Sequence, residues 1–224
     1  MRAVRPVKVL GTGSYTPDRR LTNDDLCRIV ETTDSWITER TGITERRIAA
    51  KEQAPSDLAL EASRHALEAA ELGAEDLDMI VFATSSPDRV VPSSAIYLQS
   101  KLGAFNAGAV DNLAACAGFV YAFTSGASMV ASGQSNRCLV VGSETLSRVT
   151  DYQDRSTCIL FGDAAGAVVL GPSEDSSDVL YSRMGADGRL ESLIIAPAGG
   201  SAMMPTPEAW EKRQVYIQMK GREV

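Results

Sequence analysis

Short, continuously apolar runs that alternate with helical patterns constrain what this chain can fold into more than any other feature of it. Residues 79–84 (MIVFAT) and 138–142 (CLVVG) lack the polar alternation of a half-exposed strand, so they read as strands buried on both faces. Residues 4–10 read as a strand running into Gly11 and Gly13, and 109–113 as another. Between them lie helical stretches. Thr22 with Asp25 forms a capping box that opens a helix near Asn23. Ser56 is placed to cap a helix carrying Leu58, Ala62, Ala66 and Ala69 on one face, with Gly73 as its stop. Residues 93–102 and 118–131 read as helices ended by Gly103 and Gly133. Crossover helices must lie over the sheet they connect, so the pattern predicts an α/β fold: a mostly parallel mixed sheet covered by helices on both faces.

Beyond residue 159 the spacing tightens. Residues 165–170, 179–184 and 193–196 read as antiparallel strands joined by hairpins, and 215–219 as a last strand after glycine- and proline-rich loops. The expected division is an α/β domain over residues 1–171 and a strand-rich extension over 172–224.

Charge and cysteine content narrow the function. With 22 basic against 29 acidic side chains, the net charge of -7 opposes binding to nucleic acid or an anionic membrane. The longest apolar runs fall short of the ~20 residues that span a bilayer, and the basic first residues lack a signal core, so a cytoplasmic address is expected. Cys27, Cys116, Cys138 and Cys158 show no metal-ligand spacing and the chain has one histidine, His65, so neither a metal site nor a disulfide scaffold is expected. Each cysteine is a buried small hydrophobe or a reactive thiol.

Cys116 differs from the rest in its setting. In residues 110–119 (VDNLAACAGF) it falls where a predicted strand ends and a predicted helix begins, among residues too small to bury it deeply. Helix amino ends offer free N–H groups and partial positive charge, which stabilise a thiolate relative to the pKa of about 8.5 of a free thiol. From these residues alone, a structural cysteine and a nucleophile both remain open.

Four motifs taken together are more specific: residues 11–15 (GTGSY), Trp36 followed by residues 40–43 (RTGI), residues 114–119 (AACAGF) and residues 161–167 (FGDAAGA). In order and spacing they resemble the N-terminal half of the β-ketoacyl-acyl carrier protein synthase III family, of the thiolase superfamily. The resemblance implies a thiolase-like fold and a decarboxylating Claisen condensation that starts a fatty-acid chain. Cys116 would take an acyl group from acyl-CoA, and malonyl-acyl carrier protein would supply the carbanion, with no cofactor besides the coenzyme A thioester. It further implies that Trp36 stacks on the coenzyme A adenine, Arg155 covers the other face, Arg40 lies near the phosphates and Thr32 hydrogen-bonds the base. Leu160, Phe161 and Met219 would line the acyl and pantetheine channel, and Gly221 would let the substrate arm pass. Val91 would reach the partner's acyl pocket in a homodimer.

Each residue also has a plainer reading: Trp36 as half-buried packing, Arg40 as a solvated helix end, and the channel residues as core or turn. His65 has no counterpart role and reads as a surface or packing residue. Residues 162–166 (GDAAG) are not a phosphate loop, because no GK[ST] follows. The family places a histidine, an asparagine and part of its oxyanion hole in a second half, so the 224 residues alone are expected not to condense. A polyketide-starter or hydroxymethylglutaryl-CoA synthase-like condensing enzyme, and a non-catalytic binding or dimerisation module, are the alternatives.

Overall fold

In the computed structural model, which describes residues 5–174, 179, 181–221 and 223–224, the buried apolar runs form strands and the patterned stretches between them form helices. The chain runs through β1 (Val7–Tyr15), β2 (Arg19–Thr22), α1 (Asn23–Cys27), α2 (Asp34–Thr41), β3 (Glu45–Ile48), α3 (Pro55–Ala70), β4 (Met79–Ala83) and α4 (Ser94–Leu102). It continues through β5 (Gly108–Asn112), α5 (Gly118–Ser132), β6 (Cys138–Thr145), α6 (Arg155–Cys158), β7 (Asp163–Pro172), β8 (Ile194–Ile195), α7 (Pro207–Glu211) and β9 (Gln218–Met219). Two compact units result. One holds Met1–Pro17, Ala49–Glu144 and Ala164–Met184; the other holds Asp18–Ile48, Thr145–Asp163 and Gly185–Val224.

The first unit is a five-stranded sheet in the order β1-β7-β6-β4-β5, with β4 parallel to β5 and β6 and β1 antiparallel to β7. Alternation along β4 sends Ile80 and Phe82 into one core with Leu58, Ala62 and Ala66 of α3 and Leu98 of α4. Val81 and Ala83 face the other core, with Ala122, Ala127 and Val130 of α5. Helices therefore cover both faces, as the sequence predicts. By length and composition the stretch Ala115–Ser132 could cross a membrane; in the fold it is the elbow turn and α5, whose inner face packs on the sheet.

Glycine sets how closely β1 meets α3. A Cβ on Gly11 would lie 2.3 Å from the Ala66 carbonyl oxygen, and one on Gly13 would lie 2.2 Å from that of Ala62, so helix backbone rests directly on strand backbone. Two expectations about α3 are corrected. Its cap is Ala54, whose N–H donates to the Asp57 carboxylate at 2.8 Å, because Pro55 has no N–H and is pre-set for the first turn. Ser56 instead hydrogen-bonds the Asp88 carboxylate and accepts from Lys101 Nζ at 2.7 Å. The helix ends at Ala70, with Glu71 in the left-handed region (φ 55°) ahead of Gly73, and Ala69 is exposed rather than part of the buried face.

Among the described residues, the hairpins expected after residue 159 do not form, although the stretch expected at 193–196 supplies antiparallel β8. β7 pairs with β1 instead, along a register from Tyr15 opposite Ala165 to Val7 opposite Pro172. Antiparallel β1 offers β7 a long ladder, whereas residues 173–178 (SEDSSD) supply no glycine or asparagine for a tight turn. Among described residues, Val179 and 181–184 carry no strand, and Val179 donates to the Val7 carbonyl at 2.8 Å. Val4 and Leu180 of the expected strands lie outside the described residues.

In the second unit β2 and β3 form an antiparallel pair. The Thr22 to Asp25 capping box opens α1 at Asn23, where the sequence places it. Leu21, Leu26, Ile37, Ile48, Cys158 and Ile159 form its core. The strand expected over 215–219 shrinks to β9, which pairs with β8, because Val215 is drawn into a small cluster with Ala198 and Ala209.

Candidate active site

The turn between β5 and α5 exposes one cysteine. Residues 115–117 form a 3₁₀ turn, α5 starts at Gly118, and Cys116 is exposed between them. Ala115 is held at φ 45°, a conformation that costs a non-glycine residue of order 1 kcal/mol and marks a turn fixed by its surroundings. Across the turn the Asn112 side-chain N–H donates to the Gly118 carbonyl at 2.9 Å. Ala117, the cap residue of α5, has no side chain able to cap it.

The other cysteines are placed differently. Cys138 is buried, and burial pushes its thiol up to about 12. Cys158 is also buried, which raises its thiol. Cys27 is exposed but closes α1, where carbonyls rather than amides are presented. His65 sits exposed on α3 with Nδ1 2.9 Å from the Ser14 carbonyl oxygen.

The register levels Ala83 with Asn112 and Gly142, so the loops leaving β4, β5 and β6 emerge at the same edge of the sheet as Cys116. Two carboxylates there escape sequence reading. Glu144 accepts from Ser85 N at 2.7 Å, from Thr84 Oγ1 at 3.3 Å and from the Ser86 hydroxyl. Asp111 accepts from Ser94 N and Ala95 N, each at 2.7 Å, capping α4 from a different element. Together they pin both feet of the loop whose tip exposes Val90 and Val91 (85% and 79%). The only hint in the sequence is a polar Thr-Ser-Ser run just past a buried strand, with an acid at the matching level of the neighbouring strand β6.

Burial pushes the Glu144 carboxyl above its ordinary value of 4.5, against the pull of its hydrogen bonds. A folded value above the unfolded one means that this group's stabilisation is complete below the ordinary value and is lost as pH rises through the folded value. Glu144→Gln should therefore gain stability relative to the parent as pH is raised from acid to neutral. Urea unfolding across that range reads the difference, and a gap that does not change with pH would defeat the expectation.

In the second unit the structure gathers the residues expected to hold a nucleotide. The Arg40 and Arg155 guanidinium carbons lie 4.3 and 4.5 Å from the Trp36 ring centroid. Arg155 also donates to the Glu31 carbonyl at 3.1 Å, and with Ile29, Val30, Glu31 and Gln153 it lines an open cleft of about 480 Å³. Thr32 is close by in sequence, and its buried hydroxyl has no hydrogen-bond partner among the described residues. Arg40 and Arg155 thus both stack on the Trp36 indole.

Leu160 is half-buried against the same core as Trp36, and Phe161 follows it, also half-buried. Buried Arg46 holds the preceding turn by donating from Nε to the Ile159 carbonyl at 2.9 Å and from its guanidinium to Asn23 Oδ1 at 2.5 Å. Gly162 packs tightly: a Cβ there would meet Arg46 Cβ and the Arg47 carbonyl oxygen, both at 3.1 Å. Met219 lies on β9, and Gly221 is exposed two residues later.

A mixed α/β sheet covered on both faces, with an exposed cysteine at the amino end of a sheet-packed helix, fits the thiolase-like class that the sequence resemblance implies. The family model for 3-oxoacyl-[acyl-carrier-protein (ACP)] synthase III matches residues 110–188. A β-ketoacyl-[acyl-carrier-protein] synthase III from Caldanaerobacter subterraneus is 50% identical over 216 residues, covering 96% of this chain and 65% of the relative. One from Natranaerobius thermophilus is 46% identical over 220 residues, covering 97% and 67%. The crystal structure of 3-oxoacyl-[acyl-carrier-protein] synthase III from Aquifex aeolicus superposes with a TM-score of 0.86 at 46% identity, covering 97% of this chain and 65% of that one. The chain belongs to the β-ketoacyl-acyl carrier protein synthase III family. It spans about two thirds of the length of these relatives.

Proposed function

We propose that this chain performs the acyl-loading step of a β-ketoacyl-acyl carrier protein synthase III. The Cys116 thiolate attacks the carbonyl carbon of an acyl-CoA thioester. The new S–C bond forms as the bond to coenzyme A breaks, and coenzyme A leaves as a thiolate that takes up a proton. Splitting a condensation into two transfers through a covalent intermediate lowers each barrier. The observation that carries this reading is the exposed cysteine on a strained turn at the amino end of α5, in a chain whose relatives bear the synthase name.

Trp36 supplies the platform for the adenine, Arg155 closes over it, Arg40 meets phosphate and the unpaired Thr32 hydroxyl meets the base. A guanidinium both stacks on planar rings and pairs with phosphate, so these residue types suit a nucleotide thioester. Leu160, Phe161, Met219 and Gly221 are the channel residues in this reading. The second substrate is malonyl-acyl carrier protein. Residues 1–224 contain one histidine, which is placed on α3, so the groups that decarboxylate malonate are not among them. Incubation with acetyl-CoA should add one acetyl group to the intact mass, and failure to add it would refute the reading.

The same reading makes the chain a cytoplasmic homodimer joined at β5. Support comes from the position of β5 at the sheet edge with Val110 and Leu113 exposed (41% and 75%), a row of backbone and apolar groups that a second copy would cover. Val91, on the pinned loop, would then enter the partner's acyl pocket. Val91→Phe should shorten the range of acyl-CoA primers loaded, and an unchanged chain-length profile would count against it.

A further inference from the structure

Cys116 is held by a turn that has to be kept in an unfavourable shape. Ala115 sits at φ 45°, Ala114 at φ -145° and ψ 30°, and no side chain at Ala117 secures the start of α5. Left to itself, such a turn relaxes toward ordinary backbone and carries the cysteine with it. One side chain spans it from end to end. Asn112 is the last residue of β5, fixed to the sheet by its register with Ala83 and by its carbonyl, which accepts from Thr84 N at 3.3 Å. Its side-chain N–H donates to the carbonyl of Gly118, the first residue of α5, at 2.9 Å.

We infer that Asn112 is the positioning residue of this elbow: by tying the first carbonyl of α5 to the end of β5, it fixes residues 113–117 and so presents Cys116 to the amides at the start of the helix. Asn112 touches no reacting atom. It acts through the turn, and an apolar side chain of similar size would fill the space without making the tie. The inference rests on the acyl-loading reading for its purpose, but the geometry can be tested without it.

The chain provides its own reference, because Cys27 is exposed and belongs to a different element. Iodoacetamide reacts with a thiolate by forming an S–C bond as the C–I bond breaks and iodide leaves. Its rates at Cys116 and Cys27 can be followed in one sample by peptide mass spectrometry. Asn112→Leu removes the amide and keeps the bulk, and Asn112→Asp keeps the shape and removes the N–H donor. Both should lower the Cys116 to Cys27 rate ratio by about fivefold or more, the worth of a lost hydrogen bond, while the rate at Cys27 stays as in the parent. A merely structural loss would move both cysteines together. In acyl loading, the rate should fall while the half-saturating acyl-CoA concentration stays fixed, because the proposed nucleotide contacts lie on other elements.

An unchanged ratio in folded Asn112→Leu overturns the inference. If that variant does not fold, an unchanged ratio in Asn112→Asp does so. A lowered ratio in a chain whose parent takes no acyl group upholds the positioning role and removes the loading reading.

Discussion

Cys116→Ser is expected to lose the proposed acyl loading by roughly 10³-fold or more, since on that reading the change removes the covalent intermediate itself rather than one of its supports. Serine keeps nearly the same shape, but a hydroxyl ionises far less readily than a thiol and is the weaker nucleophile. The other cysteines serve as controls. Cys138 and Cys158 are buried with their thiols pushed up, and Cys27 faces solvent at the carbonyl end of a short helix. Peptide mapping after incubation with acetyl-CoA should find the group on Cys116 alone, and Cys27→Ser should load like the parent. Label on any other cysteine, or full loading of Cys116→Ser, would end the assignment.

Gly13→Ala should be among the most damaging single changes in the first unit, at a cost of about 3 kcal/mol or more. The added methyl would fall 2.2 Å from the Ala62 carbonyl oxygen and 2.5 Å from the Ala66 N, both helix backbone that no rotamer change can move. Relief requires α3 to withdraw from β1, which opens the core shared by Leu58, Ala62, Ala66 and Phe82. Gly166→Ala is the matched control: Gly166 pairs with Ser14 on β1, yet a Cβ there would meet nothing within 4 Å. Urea unfolding of the two variants should separate them widely. Equal midpoints would show that α3 can shift without loss, contrary to the close contact described.

What could be read in the sequence is mostly what is local. The capping box at Thr22 and Asp25 involves residues three apart and was placed correctly, as were the helix stops at Gly103 and Gly133, both in the left-handed region. Ser56 was misread because it competes with Pro55 and Asp57, neighbours that together serve the helix start better. The partner of β7 was misread because it lies on β1, and no short-range pattern reports a pairing that distant. In the site, the elbow was legible as a small-residue junction between two periodicities. The clustering of Trp36, Arg40 and Arg155 was legible only through family resemblance. Glu144 and Asp111 were barely legible, hinted at only by the polar run past β4, because each acts on backbone amides of another element and a carboxylate's partners cannot be inferred from its own segment.

The pairing of β1 with β7 also governs how the molecule can be made. β1 is made well ahead of its partner: the residue opposite Tyr15 is Ala165, and the ladder ends only with Pro172. At synthesis rates of about 5–20 residues per second, β1 waits on the order of ten to thirty seconds with its edge unsatisfied. During that time α3 can already settle on its glycines, masking one face before the sheet exists. A nascent chain stalled ahead of residue 165 should thus expose a strand edge to chaperones, and release from them should coincide with emergence of β7.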